Sequence, residues 1–159
     1  MTRVRTAILV LAALAATPVS ARADITAFVG ATTTPETRMA RGLAFGLGFV
    51  VVGFEFEYSN TPEDLETGTP SLWSASGNVL LQTPMISGFQ PYFTTGGGMY
   101  REELNLREQT GFAPNIGGGV KISLAGPLRL RVDYRIFRLG EDALYSSTHR
   151  IYGGLNLNF

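Results

Sequence analysis

The chain has 159 residues, 13 basic and 13 acidic side chains, one histidine and no cysteine. That length suits one domain. The lack of cysteine excludes a disulfide framework and any Cys-based zinc site, and a single histidine, His149, excludes a His-rich one.

The first segment is MTRVRTAILVLAALAATPVSARADI. Arg3 and Arg5 form a positive start, Ala7 to Ala16 an apolar stretch, and Ala21-Arg22-Ala23 a small-x-small cleavage pattern. Together they predict a secretory signal peptide over residues 1–23, cleaved after Ala23. A membrane anchor would need about 20 apolar residues, more than this stretch has. Cleavage leaves a domain at 24–159, which is 136 of the 159 residues. Arg3, Arg5 and Arg22 leave with the signal, so ten basic residues face 13 acidic ones, a net charge of −3. That balance argues against nucleic acid as a partner. A secreted domain without disulfides needs a large core or a closed sheet to hold it.

The remaining sequence reads as strands. The apolar run from Leu43 to Phe54 is too short and glycine-rich for a spanning helix, and no long segment keeps a 3.6-residue period. Eight strands are predicted: Asp24–Thr33, Ala40–Phe49, Val51–Asn60, Leu72–Gln82, Phe89–Arg101, Phe112–Leu124, Leu128–Arg138 and Thr148–Phe159. Each is near the roughly 9–11 residues that a tilted strand needs to cross a bilayer. The connections alternate: short at Val50, at Thr83 to Gly88 and at Ala125-Gly126-Pro127, longer and polar at TTPETRM, TPEDLETGTPS, EELNLREQTG and LGEDALYSS. Short turns on one side and long loops on the other are the pattern of an outer-membrane barrel.

Side-chain parity points the same way. In LRLRVDYRIF, Leu128, Leu130, Val132, Tyr134 and Ile136 share one face, and Arg129, Arg131, Asp133 and Arg135 share the other. Phe54, Phe56 and Tyr58 oppose Glu55 and Glu57; Val120, Ile122 and Leu124 oppose Lys121 and Ser123. A soluble sheet would show such charges to water, whereas a transmembrane barrel turns them into a polar lumen and its apolar face to lipid. The large residues on the apolar parity, Phe54, Phe56, Tyr58, Trp73, Tyr134 and Phe159, suit lipid and its aromatic girdles. The expectation is an all-β, eight-stranded, antiparallel up-and-down transmembrane barrel. Its lumen is expected to hold an ion-pair network of Glu55, Glu57, Lys121, Arg129, Arg131, Asp133 and Arg135, because charges out of bulk water must be paired. The glycine triplets at 96–98 and 117–119 lack the strand–helix context of a phosphate loop and read as strand glycines.

PYFTTGGGMYREE from Pro91, FAPNIGGGVKISLAGPLRLRVDYRIFRLG and HRIYGGLNLNF together resemble the small outer-membrane β-barrel family of Gram-negative bacteria, the OmpA/OmpX-like porin-family proteins. The first half of the chain follows that pattern only loosely. The resemblance implies residence in the outer membrane, with lipid and lipopolysaccharide as surroundings. It also implies that Gly153, Leu155, Leu157 and Phe159, on one parity and ending in an aromatic, form the signal read by the barrel-assembly machinery. The implied function is structural and non-enzymatic, without cofactor, metal or catalytic residues, serving envelope integrity or surface interaction through the loops. Those loops carry Glu36, Glu63, Asp64, Glu66, Glu102, Glu103, Glu108, Glu141 and Asp142, which suit divalent cations bridging lipopolysaccharide, or simply a solvated rim.

Two other readings remain. A lipid A deacylase-like enzyme would use His149 as base, with Ser146, Ser147 or Thr148 beside it and Glu141 or Asp142 near. The family's His followed two positions later by Ser is absent, since Ile151 stands there. A soluble periplasmic lipocalin-like barrel would need an apolar lumen, and the parity predicted to face inward is charged.

Overall fold

In a computed structural model, the described residues are 21–33, 36–64, 68–104, 107–140 and 146–159. They form eight strands: β1 (Ala21–Thr32), β2 (Arg38–Phe49), β3 (Val52–Thr61), β4 (Ser71–Gln82), β5 (Phe89–Leu104), β6 (Arg107–Ala125), β7 (Leu128–Arg138) and β8 (Ser147–Asn158). Each pairs antiparallel with its chain neighbours, and β1 pairs with β8, so the sheet closes into a barrel with no free edge strand. Most of the predicted signal peptide lies outside the described residues. Ala21, Arg22 and Ala23 begin β1, and Ala23 exchanges backbone hydrogen bonds with Phe159.

The period of two decides what faces where. Along β3 the residues alternate between exposed Phe54, Phe56 and Tyr58 and buried Gly53, Glu55, Glu57 and Ser59. The same rule turns Arg131, Asp133, Arg135 and Phe137 inward on β7 and Val132 and Tyr134 outward. The result inverts a soluble barrel. Phe45, Leu47, Phe56, Leu81, Phe93, Ile151 and Leu155 are all about half exposed on the outer wall, while Arg131 and Arg135 are 0 % exposed inside. A continuous apolar wall of this kind around a polar lumen is the pattern of a barrel that faces lipid. Aromatic pairs lie near both ends of the wall, Phe49 with Phe54 and Tyr58 with Trp73 at 5.8 Å between ring centres.

The even-numbered connections are tight. Val50 and Val51 join β2 to β3 with Val50 at a φ of 29°, and Gly126 at 55° turns β6 into β7. Such positive φ values match a two-residue hairpin to strand twist. The polar loop expected at EELNLREQTG is instead mostly strand. β5 and β6 stay in register from Arg101↔Thr110 to Leu104↔Arg107, leaving only residues 105–106 outside the described strands. Charges mark a loop only where they are unpaired, and here Arg101 reaches across to Glu108 at 2.5 Å. β6 thereby overshoots β7, whose pairing ends at Asn115↔Phe137. The next residue, Pro114, has no N–H to continue that ladder.

Candidate functional site: the charged lumen and the loop-end rim

Four basic and four acidic side chains meet inside. Arg131 bonds both Glu55 oxygens with its terminal nitrogens and reaches Asp133 at 3.1 Å. Arg135 contacts Glu55 at 2.6 Å, Asp133 at 2.9 Å and Glu57 at 3.3 Å. Arg150 bonds Glu57 and donates to Ser59 Oγ at 2.6 Å. Lys121 Nζ meets Asp24 at 2.5 Å nearer the turn end. The Tyr92 hydroxyl donates to Asp133 and accepts from Arg131 Nε at 2.7 Å. The guanidinium of Arg150 also lies 4.8 Å from the centre of the Phe137 ring and 5.2 Å from that of Phe28, which stacks on Tyr152. Shared carboxylates and bidentate guanidinium contacts are the geometry that offsets the desolvation of so many charges.

The strands position these groups by simple rules. Asp24, Glu55, Glu57, Lys121, Arg131, Asp133, Arg135 and Arg150 each occupy an inward parity, and glycines opposite make room. At Gly119 a Cβ would come within 2.5 Å of the Tyr92 hydroxyl that bridges Asp133 and Arg131. Six residues of the expected network, Glu55, Glu57, Lys121, Arg131, Asp133 and Arg135, lie in it. Arg129 does not meet a carboxylate there. It sits half-buried at the turn end and donates to Gln90 and Asn158 at 3.2 and 3.0 Å. At that mouth its partners are the neutral side-chain amides of these two residues. Asp24, Tyr92, Arg150 and Tyr152 were missed, although their parity was readable once β1, β5 and β8 were assigned.

Leu155, Leu157 and Phe159 are exposed on the outer wall, with Gly153 above them on the same parity. Of the rim acids, Glu36, Glu63, Glu103 and Glu108 are exposed, Asp64 is half-buried and Glu102 turns into the lumen. Glu66, Glu141 and Asp142 lie outside the described residues. Among the described residues no group of three His, Asp or Glu side chains is arranged to hold a metal ion. His149 faces outward, its Nδ1 2.7 Å from the Tyr134 hydroxyl. Thr148 is buried on the opposite side of the wall, so it and His149 do not share a site. Ser147 shares the outward parity of His149, and Ser146 is exposed just before it.

No protein-family model and no curated protein sequence matches this chain. Solved structures do. The N-terminal β-barrel domain of Pseudomonas aeruginosa OprF aligns with a TM-score of 0.69 at 17% identity, covering 87% of this chain and 97% of that one. Neisserial surface protein A aligns with a TM-score of 0.71 at 15% identity, over 87% and 97%. The outer membrane enzyme PagL aligns at 0.56 and 15% identity, over 84% and 98%. The chain has the eight-stranded β-barrel fold of these small outer-membrane proteins.

Proposed function

We propose that this protein is a structural, non-enzymatic barrel of the outer membrane of a Gram-negative bacterium, exported by its N-terminal signal. Its turns would lie in the periplasm and its longer connections outside. The observation that carries the reading is the inversion of the fold, with fully buried Arg131 and Arg135 inside and half-exposed Phe54 and Phe56 outside. An eight-stranded barrel is only wide enough to be filled by side chains. Here those side chains are ion-paired, so the lumen is a plug and function falls to the wall and the loop end. The likeness to outer-membrane barrels supports the location. Gly153, Leu155, Leu157 and Phe159 serve as the recognition strand for the barrel-assembly machinery, and lipid and lipopolysaccharide surround the wall.

Expression in a Gram-negative host with membrane fractionation tests this. The expected outcome is outer-membrane recovery and a gel mobility that shifts on boiling. Phe159→Asp should lower the assembled fraction and leave degraded protein in the periplasm. Recovery of the wild-type chain as a soluble periplasmic protein would overturn the reading.

A further inference from the structure

On the outer wall at the loop end, a cleft of about 280 Å³ opens between β3, β4 and β5, lined by Asn60, Ser71, Trp73, Arg101 and Glu103. All five are of outward parity, and the register builds the cleft directly: Asn60 is opposite Trp73, Trp73 opposite Arg101, and Ser71 opposite Glu103. Trp73 is held edge-on by Tyr58 in the wall below. Arg101 is tied to Glu108 at 2.5 Å, which leaves other guanidinium donors free to act. Arg41, opposite Asn60 on β2, adds a second exposed cation beside the cleft.

We propose that this cleft binds one sugar ring of an outer-leaflet glycolipid headgroup. An indole flank offers an apolar platform with a polar edge, as the apolar face of a pyranose requires. Around it stand a carboxylate that accepts hydroxyl protons, an amide and a hydroxyl that both donate and accept, and a guanidinium that donates. Arg41 and Arg101 against Glu103 and Glu108 make the local charge zero. That favours neutral hydroxyls over a bare phosphate. The volume falls below the roughly 300–1,000 Å³ of whole-ligand pockets, which fits a single ring. The cleft opens sideways at the aromatic belt rather than upward from the loops, so its occupant is a membrane lipid. The proposal rests on the outer-membrane reading above.

Trp73 is the only tryptophan of the chain, so its fluorescence reports on the cleft alone. The protein is refolded into phosphatidylcholine vesicles containing either deep-rough lipopolysaccharide or phosphatidylglycerol at matched charge, and acrylamide quenching is compared. The expected result is that quenching falls by at least half with lipopolysaccharide, and that the double variant Asn60→Ala, Glu103→Gln loses this protection. Equal quenching in the two vesicles would overturn the proposal, because it would mean contact through charge alone. Undiminished protection in the variant would also overturn it, since that is what a merely deeper interface produces. Boiling-dependent gel mobility separates the two levels of failure. A protein that inserts into neither vesicle sinks the membrane reading, whereas an inserted barrel indifferent to lipopolysaccharide sinks only the sugar site.

Discussion

At position 131 the strand turns a guanidinium into the lumen, and at position 132 it turns a valine to the outer wall. Arg131 is fully buried and Val132 is 38 % exposed, so adjacent residues answer to opposite solvents. Val132→Arg would place a charge on the lipid face, at a cost of about 2–4 kcal/mol near the midplane. Arg131→Met removes the bidentate partner of Glu55 and leaves Asp133 and Tyr92 one donor short. Breaking one member of a buried ionic set typically costs about 3–5 kcal/mol, although Arg135 stays in contact with both carboxylates and limits the loss. Urea unfolding in lipid vesicles should show both variants destabilised. An unchanged midpoint for Arg131→Met would mean that the two carboxylates find water in the lumen and that the network is dispensable.

Between strands, backbone approach is the controlling quantity. Gly98 on β5 faces the lumen, and a Cβ there would meet the Ala75 carbonyl oxygen on β4 at 1.9 Å. No rotamer relieves a clash with backbone. Gly77 on β4 faces outward and a Cβ there meets nothing within 4 Å. Gly98→Val should therefore abolish the folded band that shifts on boiling, while Gly77→Val should preserve it, because a β-branched residue suits an exposed strand position. If both variants fold equally well, β4 and β5 are not packed as closely as this register requires. The overlong β5–β6 hairpin belongs to the same scale. Its alternation continued past the predicted end at Arg101, but five charged residues (Arg101, Glu102, Glu103, Arg107, Glu108) made the segment look like a loop.

For the whole molecule, closure and filling are linked. Eight strands leave room for side chains and little else, and the four cations Lys121, Arg131, Arg135 and Arg150 are matched by Asp24, Glu55, Glu57 and Asp133. Among the described residues these eight charges pair with one another, which leaves a mobile ion few groups to bind in this part of the lumen. In planar bilayers the wild-type barrel should give only background conductance, and a steady ohmic channel would show that the network opens. The double variant Glu55→Ala, Arg131→Ala, which removes a pair from the middle of the plug, is expected to raise conductance above wild type.

What the sequence determined by itself was local. A strand alternates its faces every two residues, so Glu55 opposite Phe54 and Arg131 opposite Val132 were assigned to their sides without any coordinates, and eight such runs separated by alternately short and long connections specified the barrel. Pairing across the lumen was not legible. Arg135 meets Glu55 from 80 positions away and Arg150 meets Glu57 from 93, and these meetings depend on how far each strand is staggered when β8 closes on β1. For the same reason Arg129, identical in parity to Arg131, was indistinguishable from it in sequence but stands at the mouth with Gln90 and Asn158. The cleft at Trp73 likewise exists only because two registers bring Asn60, Trp73 and Arg101 into one row. Parity is a property of each strand alone, whereas height in the barrel is a property of all eight together.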